Sequence, residues 1–221
     1  MKTSRQAHSS IDTTDAGLLN CTVPCNSRRL ENPMTDTASP PSDRANLPRQ
    51  GLVTVFTGNG KGKTTAAMGT AVRAAGYGFK VFIVFFLKGK MFTQGEVRAF
   101  AKFPNVKTET YGTSEWVKKG SENPEARSQS KKALESAGKA LSSGDYDMVI
   151  LDEVNSALDF GLVSLEDVIG LIASRPSNVD LILTGRGANP AVIEAADVVT
   201  EMVNIKHAFE RGVPAREGFD Y

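Results

Sequence analysis

The run Val53-Thr-Val-Phe-Thr-Gly-Asn-Gly-Lys-Gly-Lys-Thr-Thr-Ala-Ala67 constrains the fold more than any other stretch of the chain. It begins apolar and β-branched, as a short buried strand does. It then breaks into Gly58, Gly60 and Gly62, with Lys61 and Lys63 among them, and ends in Thr64, Thr65 and small residues that open a helix. Glycines let backbone N–H groups crowd an anion, and a helix N-terminus adds about half a positive charge. The pattern therefore predicts a phosphate loop, with Lys63 neutralising phosphate oxygens and the Thr64 hydroxyl placed to ligate Mg²⁺. The usual loop pattern has a glycine five residues before Gly62; Thr57 stands there instead.

The remaining body alternates apolar runs with amphipathic segments. After the loop we expect a helix over 64–75, closing at Gly76 and Gly78. An almost wholly apolar strand over 80–87 follows, running into the basic loop Lys88-Gly-Lys90. Residues 95–103 read as a short helix with Val97, Phe100 and Ala101 on one face, and 106–111 as a strand. The loop from Gly112 to Gly120 carries the only tryptophan, Trp116, which fits either stacking on a flat ligand or capping the core. Pro124 opens a helix to about Leu141. Ser164 caps a helix to Ser174 whose stripe is Leu165, Val168, Ile169 and Ile172. A strand over 179–184 runs into Gly185-Arg-Gly187, where the fork of Arg186 suits phosphate. A short helix over 190–196, a last strand over 198–205 and a mixed charged and aromatic tail that packs back on the body complete the chain. Such alternation predicts an α/β fold of the P-loop nucleotide-binding kind, a mainly parallel sheet with helices on both faces.

The second chemical signal is Asp147-Met-Val-Ile-Leu-Asp-Glu153, a buried strand ending in two carboxylates. In phosphate-loop proteins such an acidic end holds Mg²⁺ directly or through water, which makes Asp152 and Glu153, with Thr64, the candidate metal ligands. Ligands bind at the carboxyl edge of open parallel sheets, so Lys88, Lys90 and Arg186 join the candidate site.

Residues 1–49 differ from this body. They are rich in Ser, Thr, Asp, Asn and Pro, and predict a disordered leader before a single domain over 50–221. The leader lacks the apolar core of a secretory signal, and Asp12, Asp15, Glu31, Asp36 and Asp43 argue against a transit peptide. Met34 offers an internal start. Cys21 and Cys25 lie in the leader and are two ligands too few for a zinc site. The net charge is +1, which gives no pull toward nucleic acid or membrane. No apolar run approaches the roughly 20 residues of a membrane helix. A cytoplasmic protein is expected.

Five motifs occur in order: Thr57-Gly-Asn-Gly-Lys-Gly-Lys-Thr-Thr-Ala-Ala67, Phe86-Leu-Lys-Gly-Lys90 with Gly95-Glu96, Leu151-Asp-Glu153, Leu183-Thr-Gly-Arg-Gly187 and Ile205-Lys-His-Ala-Phe209. Together they closely resemble the P-loop-type corrinoid adenosyltransferases, the BtuR/CobO-like family, over nearly all of residues 51–221. The resemblance implies a recombinase-like sheet and a homodimer. It implies transfer of the 5′-deoxyadenosyl group of ATP to Co(I) of a reduced corrinoid, with release of triphosphate and Mg²⁺ (or Mn²⁺) as cofactor. A flavoprotein supplying Co(I) is an implied partner. The implied substrate-binding set is Gly58, Asn59, Gly60, Lys61, Gly62, Lys63, Thr64, Thr65, Lys88, Glu96, Trp116 and Arg186, with Lys63 and Arg186 stabilising charge. ATP is implied to lie reversed in the loop, and Thr57 is read as a mark of that. The chain departs from the family where many members carry Phe-Thr-Trp after the third strand: here it reads Ser114-Glu115-Trp116. The alternatives are a P-loop phosphotransferase or ATPase cleaving at the γ-phosphate, and a nucleotide-dependent switch without catalysis.

Overall fold

In the computed structural model the described residues are 49–89, 94–115, 117–120 and 122–220. Residues 1–48 of the leader, Lys90 and Trp116 lie outside them, whereas Arg49, the leader's last residue, is described. Six strands form one sheet: β1 (Val53–Thr57), β2 (Val81–Phe85), β3 (Val106–Thr110), β4 (Met148–Asp152), β5 (Asp180–Thr184) and β6 (Val198–Glu201). Their order is β3-β2-β4-β5-β1-β6 and every pairing is parallel. β2 and β4 are buried at every position, as continuous apolar runs covered on both faces must be. The fold is α/β and P-loop NTPase-like. Its recombinase-like feature is β5, which stands between the phosphate-loop strand β1 and the carboxylate strand β4.

Among the described residues six α-helices cover the sheet: α1 (Lys63–Gly76), α2 (Gly95–Phe100), α3 (Pro124–Ser143), α4 (Val154–Asp159), α5 (Leu165–Ala173) and α6 (Pro190–Glu194). One face carries α1 and α2. There Ala67, Met68, Ala71, Ala74 and Phe100 pack on Val81, Ile83, Phe85, Ile150 and Ile182. The alanines of α1 let the helix axis approach the strands closely. The other face carries α3 to α6. Ala133, Leu134, Ala137, Ala140 and Leu141 of α3 recur at helical spacing and meet a core that holds Phe82, Val84, Val149 and Leu151. Asn123 caps α3 by accepting the Ala126 N–H at 2.8 Å, and Ser164 caps α5 by accepting that of Asp167 at 3.1 Å.

The strand carrying the phosphate loop is anchored at its start. Arg49 donates to Asp147 at 2.9 Å and to Asp180 at 2.6 Å, and its guanidinium lies 4.2 Å from the centroid of Phe79. Among the described residues no helix is long and apolar enough to cross a membrane.

Several boundaries differ from the sequence reading, each for a local reason. The last strand stops at Glu201, because the main chain of Met202 turns to the phosphate loop. Helix α2 ends at Phe100, and Ala101 is exposed rather than on the buried face. Helix α4 follows β4 with no linker, so no turn signal announces it. Leu171 joins Val168 and Ile172 in the buried stripe of α5.

Candidate active site

The loop after β1 is held from outside by main chain. Gly60 donates its N–H to Met202 O at 2.6 Å, and Met202 donates to Thr57 O at 2.8 Å. A Cβ at Gly58 would stand 2.5 Å from Met202 O, and one at Gly60 would stand 2.6 Å from Val203 O. Gly58 and Gly62 also have φ of 95° and 118°, which only glycine adopts freely. No side chain caps α1, so its first N–H groups remain for an anion. Thr57, at the position where a glycine is usual, has a local purpose: its hydroxyl accepts the Ala188 N–H at 3.2 Å and ties the loop to the one after β5. Lys63 is buried, and its ammonium donates to Gly58 O and Gly60 O at 2.8 Å each. Burial pushes its pKa down, Glu153 opposes that, Arg186 adds to it, and Asp152 opposes it. It rests on the loop's own carbonyls.

The carboxylates come from the end of β4. Asp152 is wholly buried; its Oδ1 accepts the Thr184 hydroxyl at 2.7 Å, while its Oδ2 has no hydrogen-bond partner. Lys88 Nζ stands 3.9 Å from that oxygen. Burial pushes the Asp152 pKa up to about 6, against the attraction of Lys88, with Glu153 raising it further and the Thr184 hydrogen bond and the nearby Thr64 hydroxyl lowering it. An orphaned buried carboxylate oxygen beside a threonine hydroxyl is a hard-oxygen donor set that fits a divalent cation. Glu153 takes the left-handed conformation with φ 66°, which turns the chain at once from β4 into α4. Its N–H donates to Thr184 Oγ1 at 2.9 Å, and its carboxylate accepts the Ser156 hydroxyl at 2.5 Å. Thr184 thus links both acidic residues from β5, the strand between loop and carboxylates. Ser156 in turn accepts the Arg186 N–H at 3.0 Å, which fixes the Gly185-Arg-Gly187 turn. A Cβ at Gly185 would lie 2.6 Å from Ser156 N, so this approach requires glycine.

The far wall is built by the loops after β2 and β3. Leu87 has φ 58°, Lys88 donates its N–H to Tyr111 O at 3.0 Å, and Gly89 touches the main chain of Thr113 so closely that no side chain fits. Gly112 faces Lys88 the same way, with a Cβ 2.7 Å from its backbone.

A cavity of about 790 Å³ joins these parts. It is lined by Asn59, Gly60, Lys61, Gly62, Lys63, Thr64 and Thr65, and by Lys88, Glu96, Glu153 and Arg186. All but four residues of the sequence-predicted set therefore border one space. Of these four, Gly58 lies behind the loop and Asp152 beneath it, whereas Lys90 and Trp116 fall outside the described residues. Sequence reading missed Gln94, Ser156, Phe160, Phe219 and Asp220 on the same wall. Thr184 was quoted within a motif but given no role. Serine three residues after Glu153 was the one local signal for Ser156; the tail residues carried none.

The family description "ATP:corrinoid adenosyltransferase BtuR/CobO/CobP" matches residues 49–221. The chain is 40% identical over 174 residues to the corrinoid adenosyltransferase of Pseudomonas aeruginosa, an alignment covering 78% of this chain and 84% of the relative. It is 39% identical over 173 residues to that of Escherichia coli K12, covering 78% and 86%. It is 40% identical over 174 residues to the corrinoid adenosyltransferase CobA of Salmonella typhimurium, again covering 78% and 86%.

Proposed function

Because the chain belongs to the ATP:corrinoid adenosyltransferase family BtuR/CobO/CobP and is a corrinoid adenosyltransferase, we propose that it joins C5′ of ATP to the cobalt of a reduced corrinoid. The cobalt–carbon bond forms with the electron pair of Co(I). The bond from C5′ to the triphosphate oxygen breaks, and triphosphate leaves with the electron pair of that C–O bond. Co(I) is itself a strong nucleophile, so no serine, cysteine or lysine need attack. The protein's tasks are alignment and stabilisation of the charge on the leaving triphosphate.

The observation that carries this reading is the single cavity that runs from the phosphate loop to Lys88 and Glu96 on the far wall. It offers one side for the triphosphate and another for a second substrate. Backbone N–H groups of residues 61–65, the ammonium groups of Lys61 and Lys63, and the guanidinium of Arg186 receive the phosphate charge. Thr64, Asp152 and Glu153 would hold Mg²⁺ or Mn²⁺, which supplies further neutralisation of the triphosphate when bound. Lys88, Glu96 and Trp116 belong to the corrinoid side. Residues 1–49 form a leader and 50–221 the catalytic domain. The working state is a cytoplasmic homodimer that receives Co(I) from a flavoprotein. Support for the dimer is the row of exposed apolar side chains at Val198, Val199, Val203, Ile205 and Phe209 along and beyond the edge strand β6.

The test combines protein, ATP, Mg²⁺ and chemically reduced cobalamin. Formation of the cobalt–alkyl absorption spectrum with an equal yield of inorganic triphosphate is the expected result. ADP and phosphate as products would overturn it in favour of cleavage at the γ-phosphate. Nucleotide binding without any turnover would point instead to a switch.

A further inference from the structure

The loop lysine Lys61 already has an anion on it. Its ammonium is paired with the carboxylate of Asp220 and lies 5.0 Å from the ring centroid of Phe219. Both residues belong to a turn that holds its own shape. Asp220 donates its N–H to Arg216 O at 2.8 Å, Arg216 N–H donates to Asp220 Oδ2 at 2.9 Å, and the Arg216 guanidinium lies 4.2 Å from the Phe219 centroid. One carboxylate oxygen therefore closes the turn while the other faces Lys61. Gly218, Phe219 and Asp220 line the same cavity as the phosphate loop. Phe219 is 64% exposed, so the turn is not seated in the core. What joins it to the loop is a pair of partly exposed charges and one ring face.

We propose that the turn formed by residues 216–220 is an intramolecular counter-anion for the phosphate loop, in which Asp220 holds Lys61 while the loop is empty and competes with triphosphate for it. This rests on the phosphate-loop reading of residues 58–65. Lys61 follows Gly60, whose N–H is held by Met202 O at 2.6 Å, so its ammonium can serve a bound polyphosphate only after leaving Asp220. A carboxylate and a phosphate oxygen repel one another at so short a range. The Lys61 attraction also keeps Asp220 ionised, its pKa held down to about 2, so the turn carries its charge at any working pH. An exposed ion pair is weak and screened by salt, as suits a contact exchanged in each cycle rather than a permanent strut. The consequence is weakened retention of the product: returning Asp220 to Lys61 offsets part of the affinity for triphosphate and hastens its exit.

The experiment is calorimetric titration of inorganic tripolyphosphate with Mg²⁺ into the full chain, its Asp220→Asn variant and its Lys63→Ala variant. The expected result is that Asp220→Asn binds about two- to fivefold more tightly than the parent at low salt, the effect of deleting one exposed competing pair. That advantage should shrink at about 0.5 M NaCl, where the Debye length is only several ångströms. Hydrogen exchange supplies a second readout in the unaltered chain: backbone protection over 216–220 should fall when tripolyphosphate is added. Equal or weaker binding by Asp220→Asn, or protection that stays or rises, overturns the proposal while leaving the phosphate loop intact. A parent that does not bind tripolyphosphate, or a Lys63→Ala variant that binds it as well as the parent, overturns the phosphate-loop reading and the proposal together.

Discussion

Replacing Asp152 by asparagine should stabilise the ligand-free protein at neutral pH and cripple it as an enzyme. Asp152 is wholly buried, and its pKa is raised from the ordinary 3.8 to about 6. At about 1.36 kcal/mol per pKa unit, holding it ionised above pH 7 costs the folded state on the order of 3 kcal/mol. The sign follows from the direction. A carboxyl with a raised folded pKa contributes its full stability below the unfolded value near 4, and that contribution is lost as pH rises through about 6. Asparagine keeps an oxygen to accept the Thr184 hydroxyl but has no proton to lose, so the variant should not show this loss. Its amide would face the Lys88 ammonium, which is only partly buried and can turn to water. Urea or thermal unfolding in EDTA, compared between the two proteins from pH 4.5 to 8, reads the difference. The gap should be about 1 kcal/mol near pH 4.5 and widen to on the order of 3 kcal/mol at pH 8, or about 6–12 °C in Tm for a domain of this size. Adding Mn²⁺ with a non-hydrolysable ATP analogue should then stabilise the parent far more than the variant. A variant less stable than the parent at pH 8, or a gap that does not change with pH, would refute the argument.

Further consequences concern the groups around the triphosphate. Lys63→Ala should lower kcat/KM by at least about 100-fold in the corrinoid assay, the scale expected for a buried charge aimed at the leaving group. Near-parental turnover would remove Lys63 from the chemistry. Arg186→Ala should lower kcat with little change in Tm, since the side chain is exposed and its turn is held through the backbone N–H to Ser156; a fall of several degrees would mark it as structural instead. Thr184→Val leaves Asp152 Oδ1 without its hydroxyl donor and the Glu153 N–H without its acceptor, and should cost about 1–3 kcal/mol in chemical denaturation. A neutral result would mean that the carboxylates are not positioned by β5.

Much of this was legible in one dimension because it is encoded locally. The strand at Val53–Thr57, the glycine spacing and the Leu151-Asp-Glu153 end each carry their structure in a few neighbouring residues. What could not be read depends on which strands become neighbours. Thr184 bridges Asp152 and Glu153 only because β5 is inserted between β1 and β4. Met202 and Val203 are apolar residues of the kind that would extend a strand, yet their main chain serves the phosphate loop and the strand ends before them. Asp220 meets Lys61 across 159 residues of sequence. Thr57 likewise makes a contact that its neighbours in sequence do not announce, its hydroxyl accepting the Ala188 N–H.

The close backbone approach of Gly89 to Thr113 and of Gly112 to Lys88 bears on how such a protein can diversify. Connecting loops ordinarily absorb insertions and deletions, and enzymes acquire new substrates by lengthening them. Here the turns at residues 86–89 and 111–113 are interlocked main chain against main chain, so neither turn can gain or lose a residue without carrying the other. Changes in what this part of the wall accepts therefore come most directly from exchanging side chains, at positions such as Gln94, Glu96, Glu115 and Val117 that border the cavity without taking part in the interlock.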